Sequence, residues 1–299
     1  MNMVNNRQDQ AGTLRSLSRT FSGQSLAPAR QGKAASVVSV TSGKGGVGKT
    51  AVAANIAVVL ARTGKKVLII DADLGLANMD VVFGLNPRFN LNHFFAGEKG
   101  LEEIVLEGPE GISILPAGSG VQSVTHLSSE QKMRFMEAME IFHGKFDLVI
   151  IDTEAGISEN VTYFNVAAQE IMVVTSPDPT AITDAYALMK LLSIQYHEKR
   201  FNLVVNSVKD EDEALAVYKK LTLVSNRYLD ISIDYLGCIP FDKRMRESVS
   251  RQQVIVDLYP TSKPSAGFIS MAKNLACVLE NVQPKGNSQF FWKRLLSIS

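Results

Sequence analysis

The sequence has little cysteine, little tryptophan and almost no net charge. Its 299 residues include two cysteines, one tryptophan, and 31 basic against 30 acidic residues, a formal net charge of +1. Cys238 and Cys277 fit no metal-ligand spacing, so we expect two ordinary buried thiols in a reducing compartment, with a disulfide as the alternative. A near-neutral chain also lacks the overall positive field that favours nucleic acid, and no direct contact with nucleic acid is expected.

Long apolar runs are missing as well. None reaches the roughly 18 to 20 residues that a membrane span needs, and the N-terminus lacks the apolar core of a signal peptide. With 45% hydrophobic and 20% charged residues, the composition is that of an ordinary globular protein with ample material for a core. These absences predict a cytoplasmic protein.

Short apolar runs alternate with helical segments from residue 36 onward. Continuous apolar runs are typical of parallel strands buried on both faces. Their alternation with helices predicts a doubly wound α/β domain over 36–282, with a mainly parallel sheet and helices on both faces. Residues 1–35 are predicted to be a flexible basic segment, and 283–299 a linker and tail. The predicted strands are 36–41, 66–71, 112–117, 146–152, 170–176, 201–207 and 234–240, and the helices 50–64, 128–143, 180–199, 211–229 and 263–282.

A glycine-rich loop separates the first strand from the first helix. Its sequence, GKGGVGKT, matches G-x-x-x-x-G-K-[ST], a spacing in which backbone N–H groups surround phosphates at the positive end of a helix dipole. Lys49 is expected to contact the β- and γ-phosphates, and Thr50 to bind Mg²⁺. The predicted ATP-binding residues of this loop are Gly43, Lys44, Gly45, Gly46, Val47, Gly48, Lys49 and Thr50.

The loop carries an additional lysine, Lys44, directly after Gly43. Its side chain is either solvated at the surface or directed across an interface towards another subunit's nucleotide. The loop resembles the deviant phosphate loop of the MinD/ParA ATPases, a family of P-loop NTPases. This resemblance implies an ATP-dependent homodimer in which Lys44 reaches the phosphates of the partner subunit and acts with Lys49 in hydrolysis.

Acidic residues end two predicted strands. The segment 69–80, IIDADLGLANMD, resembles the switch region of the MinD branch. The resemblance implies that Asp73 orients the attacking water and that Asp71 lies near the Mg²⁺, and capping of the next helix is the alternative for both. The strand 146–152 ends on Asp152, the expected carboxylate of the outer Mg²⁺ shell.

Glu154 departs from the family pattern, which has a small residue or proline at this position. A carboxylate near the γ-phosphate would repel it. Three alternatives follow: Glu154 turns away, pairs with a lysine such as Lys44, or tunes the rate of hydrolysis.

Two later segments, LVVNSV and LGCIPFDKRMRES, resemble the adenine-reading loops of the family. Asn206 can present both a donor and an acceptor to a base edge. Pro240, Phe241 and Asp242 are expected to form the opposite wall. Because Asn residues often simply end strands, a turn is the alternative for Asn206.

The C-terminal residues SQFFWKRLLSIS suit an amphipathic helix at a membrane surface. Basic residues on the polar side can meet anionic headgroups. The tail resembles the membrane-targeting sequence of MinD, and docking on its own domain is the alternative. The predicted membrane-contacting residues are Phe291, Trp292, Lys293, Arg294, Leu295 and Leu296.

An N-terminal motif, DQAGTLR, resembles that of the FlhG (FleN) branch of the MinD group, the flagellar-number regulators. The resemblance implies a contact with an FlhF-type GTPase, in whose site Gln10 can orient a water and Arg15 can steady phosphate charge. The predicted partner motif consists of Asp9, Gln10, Ala11, Leu14 and Arg15.

Together these features predict an ATPase switch that uses ATP and Mg²⁺, dimerises, and attaches to the inner face of the cell membrane when ATP is bound. By resemblance its output is flagellar number or placement, with a flagellar switch-ring protein and a flagellar transcription activator as further partners. The alternatives are a MinD-type regulator of the division site and a ParA-type ATPase that positions DNA or other cargo.

Overall fold

The strands form one sheet at the centre of the molecule. A computed structural model describes residues 35–75, 77–118 and 127–281. The strands in these ranges are β1 (Ser36–Ser42), β2 (Val67–Ala72), β3 (Leu106–Glu107), β4 (Ser113–Leu115), β5 (Leu148–Ala155), β6 (Glu170–Thr175), β7 (Arg200–Val208) and β8 (Ser232–Pro240). Their order in the sheet is β3-β4-β2-β5-β1-β6-β7-β8. β3 pairs antiparallel with β4, and the other pairs are parallel, which confirms the mainly parallel α/β fold.

The helices cover both faces of this sheet. They are α1 (Lys49–Arg62), α2 (Met79–Phe83), α3 (Leu91–Phe95), α4 (Leu101–Ile104), α5 (Ser129–Met139), α6 (Glu159–Ala167), α7 (Pro179–Tyr196), α8 (Glu211–Tyr228), α9 (Lys243–Ser250), α10 (Ile255–Leu258) and α11 (Lys263–Asn281). Each predicted long helix is present within a few residues of its expected bounds. The short helices α2, α3, α4 and α10 were not predicted, because four or five residues are too few to show a helical period.

Side-chain alternation along the strands explains this arrangement. In β2, Val67 and Ile69 pack on the side of α1 and α11, whereas Leu68 and Ile70 pack on the side of α3 to α6. A further cluster joins β6 and β7 to α6, α7 and α8. Both faces are therefore buried, as the continuous apolar runs predict.

A buried polar ladder ties β1 to α6. The Ser39 hydroxyl donates to Asn165 Oδ1 at 2.7 Å, and Asn165 Nδ2 donates to Thr41 Oγ1 at 3.1 Å and to the Val161 carbonyl at 2.8 Å. All three polar side chains are fully buried. Because buried polar groups without partners are costly, this ladder fixes the last turn of α6 against β1.

The cysteine prediction was partly wrong. The two thiols are not joined in a disulfide, but Cys238 is only half-buried and Cys277 is exposed. Cys277 lies on α11, near the end of the described helix, where one side faces solvent. Among the described helices, none combines the length and the apolar character required to cross a bilayer.

Candidate functional site

The predicted site residues come together where parallel strands end. β1 lies between β5 and β6. The strands β2 to β5 lie on one side of β1, and β6 to β8 lie on the other, so the strand order reverses at β1. In doubly wound folds, ligands bind in the crevice at the carboxyl ends of strands at such a reversal. The phosphate loop connects β1 to α1 at this point. Asp71 and Asp152 lie near the carboxyl ends of the adjacent strands β2 and β5, and Asn206 lies near the carboxyl end of β7.

Glycines give the loop its path. Gly46 and Gly48 have φ angles of 78° and 92°, in the left-handed region that favours glycine. A Cβ on Gly43 would lie 2.1 Å from the Asp184 carbonyl oxygen, because α7 crosses the start of the loop closely. α1 then begins at Lys49, whose side chain is buried beneath the loop. The sequence thus forms a phosphate cradle with a lysine at its base.

Two buried carboxylates face each other across β2 and β5. Asp71 is the register partner of Asp152. The Asp71 carboxylate accepts from the backbone N–H of Asp73 at 3.2 Å, of Asn78 at 3.3 Å and of Met79 at 3.2 Å, so it also steadies the start of α2. Burial, together with the neighbouring Asp152, raises the pKa of Asp71 well above its ordinary value. The helix-capping alternative therefore holds for Asp71, alongside its place beside Asp152.

Asp152 suits a magnesium site. Burial raises its pKa to about 6, although Lys49 and a hydrogen bond from Thr50 oppose the rise. Its Oδ1 atom is buried and has no hydrogen-bond partner among the described residues. A buried carboxylate oxygen without a partner, beside a threonine hydroxyl and a phosphate loop, fits the oxygen ligands that Mg²⁺ prefers. Thr50, Asp71 and Asp152 can thus supply the protein side of this site.

Asp73 directly follows β2, two residues after Asp71. It is half-exposed, and its charge contributes to the raised pKa of both Asp71 and Asp152. This location, within electrostatic reach of both carboxylates, suits the water-orienting role expected from the sequence.

Glu154 turns towards α6. Its Oε2 atom accepts from the Ser158 hydroxyl at 3.2 Å, and Ser158 Oγ also accepts from the Val161 N–H at the start of that helix. The backbone around Glu154 nevertheless lies against the loop, since Gly156 N–H donates to the Ser42 carbonyl at 2.9 Å. Of the three sequence alternatives, the pairing with Lys44 is not present, because Glu154 binds Ser158 and Lys44 binds Asp178.

Lys44 contacts residues of its own chain. Its ammonium group bonds to Asp178 Oδ2 at 2.8 Å and to the Thr180 hydroxyl. The hydrogen bond from Lys44 and the N–H and hydroxyl of Thr180 lower the pKa of Asp178 to about 2. Asp178 is the N-terminal cap of α7, so Lys44 is held at the start of that helix.

A cavity of about 290 Å³ lies beside the loop, where the predicted adenine-binding segments meet. Asn206 Nδ2 donates to the Val47 carbonyl at 2.8 Å, and its Oδ1 accepts from Ser207 N–H at 2.8 Å. One N–H and one lone pair of the amide remain for a ligand. The residues lining the cavity are Gly46, Val47, Ser176, Asn206, Ser207, Pro240, Phe241, Asp242, Met245 and Arg246.

Sequence reasoning missed four of these lining residues: Ser176, Ser207, Met245 and Arg246. Ser176 directly follows β6, so the rule that ligands gather at the carboxyl ends of strands was the signal for it. Asp242 lines the cavity as expected, yet its carboxylate caps α9 and binds Arg244. The hydrogen bond from Arg244 lowers the pKa of Asp242, so this wall of the cavity stays charged.

Both terminal motifs lie outside the described residues. These are the partner motif of Asp9, Gln10, Ala11, Leu14 and Arg15, and the membrane-contacting residues from Phe291 to Leu296.

Comparisons with known proteins identify the family and the fold of the chain. The model of the ParA family, described as "NUBPL iron-transfer P-loop NTPase", matches residues 33–276. The chain is 41% identical over 260 residues to the antiactivator FleN of Pseudomonas aeruginosa, covering 87% of this chain and 93% of FleN. It is 35% identical over 263 residues to the flagellum site-determining protein YlxH of Helicobacter pylori, covering 87% of this chain and 89% of YlxH. The structure of MinD from Pyrococcus horikoshii complexed with Mg-ADP superimposes with a TM-score of 0.66 at 26% identity, covering 83% of this chain and 100% of MinD.

Proposed function

Because the chain belongs to the ParA family of P-loop NTPases, we propose that its ATPase activity drives a switch that regulates the number or placement of flagella. The similarity to FleN and YlxH carries this proposal, since it spans most of each relative. Their names describe an antiactivator and a protein that determines the flagellar site. Fold alone would not assign this role, because related folds serve many functions.

The switch would begin with an ATP-dependent homodimer in which each Lys44 contacts the nucleotide of the other subunit. The Lys44–Asp178 pair supports this idea because both side chains are partly exposed, at 38% and 47%, and exposed ion pairs exchange readily. Lys44→Ala should abolish ATP-dependent dimers, as measured by light scattering. A Lys44→Ala protein that still hydrolyses ATP as a monomer would contradict the cross-subunit role.

Hydrolysis would then reset the switch. Bound Mg²⁺ would neutralise phosphate charge. Lys49 would hold the β- and γ-phosphates, and Asp73 would orient the attacking water. Asp73→Ala should keep ATP-driven dimers and lose phosphate release, whereas a monomeric variant would assign Asp73 to binding instead.

Membrane attachment would follow from dimerisation. A single short amphipathic tail binds weakly, but two tails in one dimer gain from effective concentration. In liposome co-sedimentation with ATP, deletion of 290–299 should abolish binding. Lys44→Ala is the matched control, because it keeps the tail and should bind only as weakly as a monomer. Unchanged binding after the deletion would refute attachment through the tail.

The N-terminal segment would connect the switch to flagella. A peptide of residues 1–35 should raise GTP turnover by an FlhF-type GTPase, and Gln10→Ala or Arg15→Ala should remove the effect. A flagellar switch-ring protein and a transcription activator are the other proposed partners, and the second is supported by the name of FleN. No stimulation would favour a MinD-type division-site regulator, and ATP-dependent DNA retention would favour a ParA-type role.

A further inference from the structure

Three arginines lie on or directly after α9, and they differ in what they contact. Arg244 binds Asp242, with its Nη2 atom 2.7 Å from Oδ2 and its Nε atom 3.1 Å from both carboxylate oxygens. Arg251 binds Glu247, with Nη2 2.7 Å from Oε1. Within the described ranges, no carboxylate lies within 4.0 Å of the Arg246 guanidinium. Arg246 instead lines the cavity beside the phosphate loop.

Two other polar side chains of the cavity wall, Asp242 and Asn206, already make hydrogen bonds within the chain. Each Asp242 oxygen accepts two hydrogen bonds from Arg244. The Asn206 amide donates one hydrogen bond to the Val47 carbonyl and accepts one from the Ser207 N–H. Asp242 and Arg246 are the two charged residues in the described lining. Arg246 is therefore the charged group whose donors are left for a ligand.

The position of the cavity indicates which part of a nucleotide Arg246 would meet. Gly46 and Val47 contribute to both the phosphate loop and the cavity wall, so a nucleotide with its phosphates in the loop would place its nucleoside in the cavity. A guanidinium has five N–H donors and no acceptor, which suits ring nitrogens and ribose oxygens, and its charge attracts the face of a purine ring. The lining next to it, Phe241 and Met245, offers apolar surface for the same ring.

We propose that Arg246 is a nucleotide-binding residue that contacts the nucleoside part of ATP through its guanidinium group. The inference rests on the placement of ATP in the phosphate loop. Because the contact does not involve the γ-phosphate, it is the same for ATP and ADP. Arg246 thus adds uniform binding, which lowers KM without raising kcat.

Displacement of a fluorescent adenine nucleotide from the full-length chain tests this proposal. Arg246→Ala should weaken the binding of AMP, of ADP and of ATP by about tenfold each. This is the low end of the effect expected for hydrogen bonds to a charged group. Arg251→Ala is the matched control on the same stretch and should bind like the wild type. Arg246→Lys, which keeps the charge but loses the planar fork, should lie between Arg246→Ala and the wild type. In steady-state hydrolysis, Arg246→Ala should raise KM about tenfold at unchanged kcat.

Different outcomes separate the possible failures. If the loss of affinity in Arg246→Ala grows from AMP to ADP to ATP, the nucleoside contact would be overturned, because the Arg246 charge would then act on the phosphates. Equal affinities for Arg246→Ala and the wild type would overturn the role altogether. Lys49→Ala reports on the premise: if it binds ATP like the wild type, the placement in the loop fails. If Lys49→Ala is weak and Arg246→Ala is unchanged, only the role of Arg246 fails.

Discussion

Asn206 is expected to hold the phosphate loop even when no nucleotide is present. Its amide bridges Val47, inside the loop, and Ser207, at the end of β7, through two hydrogen bonds of 2.8 Å each. A typical hydrogen bond contributes about 1 kcal/mol net to stability. Asn206→Ala should therefore lower the free energy of unfolding by about 2 kcal/mol, or the Tm by roughly 4 to 8 °C for a domain of this size.

The assay is urea or thermal denaturation of the nucleotide-free protein. Asn206→Asp is a second variant for the same assay. It keeps an acceptor for the Ser207 N–H but places a carboxylate oxygen, in place of a donor, next to the Val47 carbonyl. It should be at least as unstable as the alanine variant at neutral pH. Asn226→Ala, an exposed asparagine on α8, is the control and should unfold like the wild type. If Asn206→Ala binds ATP poorly but unfolds like the wild type, Asn206 contacts the base without stabilising the phosphate loop, and the prediction is refuted.

Two further predictions concern the carboxylates. Asp152→Asn should stabilise the protein by about 1 to 3 kcal/mol at pH 7 without Mg²⁺ and nucleotide, because a pKa raised from 3.8 to about 6 marks a destabilised charge. The wild type becomes more stable as the pH falls from 6 towards 3.8, because Asp152 takes up a proton. The extra stability of Asp152→Asn over the wild type should therefore shrink in this range. A stability difference that stays constant with pH would contradict this reasoning. Glu154→Gln keeps the acceptor for Ser158 and removes one negative charge near the loop. The variant should bind ATP about fivefold more tightly than the wild type at low ionic strength, because on the order of 1 kcal/mol of repulsion is removed. The difference should shrink at high ionic strength, where salt screens the charge. Equal affinities of variant and wild type at both ionic strengths would show that Glu154 lies too far from the phosphates.

The sheet and the phosphate loop were predictable because each depends on local sequence. Buried parallel strands are continuous apolar runs, and glycines at the spacing of the motif allow the left-handed backbone angles that the loop needs at Gly46 and Gly48. The partner of Lys44 was not predictable, since Asp178 follows it by 134 residues and is positioned by the β6–α7 connection. The same reason applies to Arg246: its sequence neighbours Arg244 and Arg251 look equivalent, and only the orientation of α9 turns one of them to the cavity. The burial expected for Cys277 failed because it assumed that a terminal helix is covered on every side.

The ladder from Ser39 to Asn165 determines where α6 can move. Asn165 lies in the last turn of the helix, and its amide is fixed to β1 by buried hydrogen bonds. The first turn packs through the buried Asn160, Val161 and Thr162, and the Ser158 hydroxyl binds Glu154 of β5. Because α6 is held at one end by β5 and at the other by β1, a shift of these strands at the site should carry the whole helix with it rather than bend it.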